Sequence, residues 1–142
     1  MKLPDTNLLF YAINERSPGH ERARSWLEAT LSGTEAIGFA WISLLGFTRI
    51  STNPTVLERP LSATEAMDYV DEWLDQPVAS IVHPTRQHAA VLRRLLEPIG
   101  TAGNLTSDAH LAALAIEHGA ELCSHDADFS RFPGVRWTDP LR

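Results

Sequence analysis

The chain has 142 residues, of which 44% are hydrophobic and 21% charged, with a formal net charge of −6 and one cysteine. That length and apolar content suit one domain, 1–142, with a full core and exclude a disordered chain, while the single cysteine excludes an intramolecular disulfide framework. No apolar run reaches the ~20 residues of a membrane span and no signal-peptide pattern opens the chain, so a cytoplasmic location is expected; the negative charge argues against nucleic-acid binding by general electrostatics.

Met1 to Pro4 reads as a very short strand that passes directly into an apolar helix from Leu8 to Asn14, with Thr6 or Asn7 as candidate caps and Asp5 at the helix's positive end. Ser17-Pro18 restarts a helix that presents Ala23, Trp26, Leu27 and Leu31 on one face as far as Leu31. Ala36 to Ala40 reads as a buried strand, and Trp41 to Ser51 as a helix stopped by Asn53-Pro54. A loop follows, and Ser62 with Glu65 forms a capping box that opens a helix to about Asp75. Val78 to Val82 has the look of a strand, Thr85 caps a further helix, and Leu105 to Gly119 is the clearest helix, closed by its glycine. Glu121 to Ser124 and Gly134 to Thr138 complete the strands. This alternation of strand and helix predicts an α/β fold with a parallel sheet and helices on both faces.

Three acids sit at comparable places: Asp5 after the first strand, Asp108 in the first turn of the Leu105 helix, and Asp126 after the Glu121 to Ser124 strand. In a parallel sheet those places share one edge, where ligands bind. Each acid also has a plain role, Asp5 and Asp108 at helix starts and Asp126 or Asp128 in a turn. Carboxylates gathered in one crevice repel one another, and an all-oxygen donor set suits magnesium or manganese.

Pro4-Asp5-Thr6-Asn7, the segment Asn104-Leu105-Thr106-Ser107-Asp108-Ala109-His110, and Ser124-His125-Asp126-Ala127-Asp128-Phe129 together resemble the PIN-domain ribonucleases, in particular the VapC toxins of type II toxin–antitoxin pairs. The likeness runs the length of the chain in order, through Phe132-Pro133-Gly134-Val135-Arg136-Trp137. It implies a PIN-like three-layer α/β/α fold with a central parallel sheet of about five short strands. It also implies metal-dependent hydrolysis of RNA, tRNA or rRNA, leaving a 3′-hydroxyl, with Mg2+ or Mn2+ as cofactor. Asp5, Asp108 and Asp126 would be the metal ligands and catalytic acids, with Thr6, Asn7, Asn104 and Asp128 orienting them from outside. A VapB-type antitoxin and a homodimer are the implied partners.

One departure stands out. Many PIN domains place a glutamate on the helix after the second strand, and here the aligned position is Gly46, with no acid between Glu35 and Glu58; this argues against a second metal. A catalytically silent PIN-like module that binds RNA or protein is therefore the alternative. A phosphoacceptor domain ranks last, because it requires a lysine near a late strand end and the only lysine is Lys2. His125 reads first as a solvated turn histidine. Arg49, Arg59, Arg86, Arg93, Arg94, Arg131, Arg136 and Arg142 offer local positive surface, although scattered arginines usually only solvate. Of Trp26, Trp41, Trp73 and Trp137, at least two are expected in the core.

Overall fold

The computed structural model describes residues 1–142. Five strands of three residues each, β1 (Lys2–Pro4), β2 (Ile37–Phe39), β3 (Ala79–Ile81), β4 (Glu121–Cys123) and β5 (Arg136–Thr138), form one parallel sheet in the order β3-β2-β1-β4-β5. Six α-helices flank it: α1 (Thr6–Ile13), α2 (His20–Leu31), α3 (Trp41–Ser51), α4 (Ala63–Leu74), α5 (His88–Leu96) and α6 (Thr106–Glu117). The expected three-layer α/β/α arrangement is present.

Parallel strands so short are stable only when helices cover both faces. Accordingly β2 is buried throughout, as are Leu3 of β1 and Leu122 of β4, while the edge strands β3 and β5 are more open. One apolar cluster gathers Leu9, Leu27, Phe39, Phe47, Val70 and Trp73 from β2 and α1 to α4. A second, on β1 and β4, gathers Leu3, Leu95, Leu111, Leu122, Phe129 and Phe132. Trp73 is stacked on Phe39 (ring centroids 6.1 Å apart) and set edge-on to Phe47 at 4.8 Å. Trp26 and Trp137 pack against these clusters; Trp41 alone is an exposed tryptophan, at 42%.

The helix boundaries differ from expectation at three starts. Asp5 itself is the N-cap of α1, so Thr6 lies inside the helix. The second helix begins at His20 behind Gly19, whose φ of +78° is left-handed, which leaves Ser17-Pro18 in the preceding turn. The fifth begins at His88, because the Thr85 hydroxyl accepts from the Gln87 backbone in a local turn instead of capping helix. The Ser62/Glu65 capping box on α4 is formed as expected. Gly119 (φ +61°) closes α6, with Ala120 N–H donating back to the Ala115 carbonyl.

Sheet order fixes where a site can lie. The chain moves outward from β1 through β2 to β3, then returns across the sheet to β4 and β5. The order therefore reverses between β1 and β4, and the crevice beyond their carboxyl ends is where open α/β sheets bind ligands. Asp5 directly follows β1 and Ser124 directly follows β4.

Candidate active site

Asp5 is held by both carboxylate oxygens. Oδ1 accepts from Thr6 N–H at 2.8 Å as the cap of α1, and Oδ2 accepts from the Ser124 hydroxyl at 2.8 Å. Its capping role and its place in a carboxylate cluster are thus the same geometry. Ser124 is fully buried and ties the two strand ends together. It gives its proton to Asp5, while its oxygen accepts from Asp126 N–H at 3.0 Å and from the Asn7 side-chain amide at 3.3 Å. The Asn7 carbonyl oxygen faces the His125 N–H at 3.4 Å. From outside, Trp137 Nε1 of β5 donates to the Ser124 carbonyl at 2.9 Å and pins the end of β4.

Asp108 enters from the first turn of α6. Oxygens of Asp108, Asp126 and Asp128 lie within 4.8 Å of one another, so Asp128 stands nearer to Asp108 and Asp126 than an outer orienting role requires. Asp126 also caps the short 3-10 turn that follows it by accepting from Asp128 N–H at 2.9 Å. Burial pushes the Asp108 carboxyl up to about 6, helped by the negative charges of Asp5, Asp126 and Asp128. Asp5 is also raised, first by burial and then by Asp126, against the lowering effect of the Ser124 and Thr6 hydrogen bonds. Carboxylates this close repel one another, and a cation bound among them would offset that repulsion. Hard oxygen donors alone, with no thiolate or imidazole among them, fit magnesium or manganese.

The remaining expected residues divide. Asn7 is drawn into the Ser124 network, as described. Thr6 spends its hydroxyl on the Ser43 carbonyl of α3 at 3.2 Å, and only its N–H serves Asp5. Asn104 is exposed in a 3-10 turn before α6, and its side chain makes no hydrogen bond. Lys2 is bound to Glu121 at 3.3 Å and to Glu35 at 3.8 Å, at the opposite end of β1 from Asp5, which removes the lysine that a phosphoacceptor site needs. Ser124 was the residue missed. It lay inside the quoted Ser124-His125-Asp126 motif, but a serine after a strand gives no periodic or charge signal. His125 is exposed in the turn, as expected, and its Nδ1 lies 2.8 Å from Asp139 Oδ2.

In front of the acids a groove of about 670 Å³ runs between α1, α3 and α6. Asp5 and Asp108 border it with Tyr11, Leu45, Gly46 and Arg49. Residues 2–135 match the PIN domain family. The chain belongs to that family. At full length it is similar to Ribonuclease VapC37 of Mycobacterium tuberculosis, 48% identical over 99% of this chain and 97% of that one. Ribonuclease VapC33 of the same species is 44% identical over 100% and 99%. The fold matches a chain of the Rickettsia felis VapBC2 complex bound to a DNA fragment from its promoter, with a TM-score of 0.70, 21% identity and coverage of 97% of both chains.

Position 46, where the family resemblance leads one to expect a glutamate, is closely packed in this chain. A Cβ at Gly46 would sit 2.9 Å from Thr6 Cγ2 and closer still to its hydroxyl oxygen. Helices α1 and α3 are therefore in contact at Gly46, and no side chain fits there unless Thr6 moves.

Proposed function

We propose that this protein is a divalent-metal-dependent endoribonuclease, the toxin of a type II toxin–antitoxin pair. The observation that carries the reading is the clustering of Asp108, Asp126 and Asp128, with oxygens within 4.8 Å of one another, beside Asp5, which shares the Ser124 hydroxyl with the Asp126 N–H, in a chain of the VapC ribonuclease kind. Asp108, Asp126 and Asp128 would hold the ion, with Asp5 beside them on the end of β1 as the further expected ligand; the all-oxygen set favours Mg2+ or Mn2+. When bound, such an ion supplies positive charge that offsets the carboxylates and polarises a phosphodiester for attack by water.

The chain's own residues do the positioning. Ser124 keeps Asp5 turned into the crevice and fixes Asp126 through its backbone N–H. Being buried and committed to Asp5, Ser124 is no nucleophile, and hydrolysis proceeds without a covalent intermediate. Asn7 braces Ser124 from α1. The expected products carry a 3′-hydroxyl, and tRNA or rRNA is the substrate class.

A VapB-type antitoxin is the partner, and the exposed Leu45 on the groove wall, with the exposed Trp41 one turn before it on α3, gives its tail an apolar surface. The homodimer and the cytoplasmic location rest on the family resemblance; no helix is long and apolar enough to cross a membrane. Gly46 favours one second reading, a silent PIN module that binds RNA without cutting, because the site lacks its usual fourth carboxylate.

Purified, antitoxin-free protein incubated with total cellular RNA and Mn2+ separates the two. Cleavage that stops in EDTA is the expected result. Intact RNA with Mn2+, or cleavage undiminished in EDTA, would overturn the metal-dependent nuclease.

A further inference from the structure

RNA brings a phosphate for every nucleotide into a site lined by carboxylates on a protein of net charge −6. A metal ion offsets charge at the cleaved phosphate only, so the neighbouring phosphates need another cation. Most arginines are already engaged. Arg16, Arg24, Arg93 and Arg142 are paired with carboxylates, and Arg22 and Arg136 donate to backbone carbonyls. Arg49 is exposed and has no partner, and it is the one cationic side chain that borders the acidic groove.

Gly46, three residues earlier on α3, gives it no partner. Residues three apart on a helix are neighbours, so a glutamate at 46 would face Arg49 and pair with it. In this chain position 46 carries no side chain and is closed by Thr6, and the guanidinium lies on the groove three residues (~4.5 Å of helical rise) beyond Gly46. Between the two ends the wall is apolar and aromatic, with Tyr11, Leu45 and Ile50, chemistry that suits a base or sugar more than a phosphate.

We infer that Arg49 binds an RNA phosphate flanking the cleaved one, so that the strand is held at both ends of the groove, by the acid-held metal and by the guanidinium. The inference rests on the nuclease reading above. Arg49 is a substrate-positioning residue, exposed on the groove wall and without a carboxylate partner.

The test uses full-length protein and a twelve-nucleotide single-stranded RNA spanning a cleavage site mapped with total RNA. Arg49→Gln is expected to raise KM about tenfold with kcat within twofold, and Arg49→Lys to recover part of the loss, since a lysine keeps the charge but not the two-pronged contact. The slope of log(kcat/KM) against log salt should become shallower by about 0.7, the share of one phosphate in a single strand. A methylphosphonate at the contacted linkage should weaken the wild type as Arg49→Gln does, and weaken Arg49→Gln no further. Wild-type cleavage with an unchanged KM and salt slope in Arg49→Gln would overturn the inference and leave the nuclease reading standing. Absence of wild-type cleavage of total RNA would overturn both.

Discussion

Gly46 of α3 and Thr6 of α1 touch at the site's floor: the Thr6 hydroxyl donates to the Ser43 carbonyl at 3.2 Å, and its methyl and hydroxyl occupy the space a side chain at 46 would need. Gly46→Ala gains about 1 kcal/mol of helix propensity, but overpacking against Thr6 costs about 1–3 kcal/mol. The net expectation is destabilisation, measured by chemical denaturation. Adding Thr6→Ala removes both clashing groups and should make the double variant more stable than Gly46→Ala alone. A Gly46→Ala protein as stable as the wild type would show that the contact is looser than described.

Ser124 predicts a second effect. Ser124→Ala takes a hydrogen bond from Asp5 and an acceptor from Asp126 N–H and Asn7, all in a buried position. Stability should fall by about 1–3 kcal/mol, the cost of leaving buried polar groups unpaired. Activity should fall by about 10- to 100-fold, as when groups that orient metal ligands are removed. Loss of stability with activity intact would mean that Ser124 braces the sheet and not the site.

Asp108 makes stability depend on pH in a known direction. Its carboxyl is raised to about 6 in the fold, so the folded protein holds this proton more tightly than the unfolded chain. In metal-free protein the resulting stabilisation is complete below the ordinary carboxylate value and is lost as pH rises through about 6. Asp108→Asn should therefore be more stable than the wild type in EDTA at pH 7, by about 1–2 kcal/mol after allowing for partial exposure. Mn2+ should raise the wild-type Tm, by about 2.7 kcal/mol of stabilisation at a hundredfold excess over Kd, and leave Asp108→Asn nearly unmoved. Thermal melts of the two proteins with and without Mn2+ at pH 5 and 7 check both signs.

Much of this arrangement was legible in the sequence, for identifiable reasons. The alternation of apolar strand and amphipathic helix gave the parallel sheet, and the Ser62/Glu65 box, with two reciprocal bonds, marked the α4 start correctly. The acids could be placed on one edge because strand ends and helix starts share it in any parallel α/β sheet. The order of the strands could not be read, since three-residue strands carry no pairing signal, and so the reversal between β1 and β4 was hidden. Ser124 was hidden too, because its importance comes from meeting Asp5 and Asn7 more than a hundred residues away. Gly46 is visible in the sequence as a departure, but its close contact with Thr6 is seen only in the fold. Glu117 near the end of α6, whose buried side chain accepts from Thr85 and lies 2.5 Å from His88, is a similar case of a meeting between distant residues that no local pattern signals.

The most direct test is single-turnover cleavage of RNA in Mn2+ by wild-type protein and Asp108→Asn, both shown folded by circular dichroism, with the ends of the products sequenced. The account predicts wild-type products with 3′-hydroxyl ends and a loss of at least about 100-fold in Asp108→Asn, the scale expected when a group central to the chemistry is removed. Cleavage by Asp108→Asn within a few-fold of the wild-type rate would contradict it.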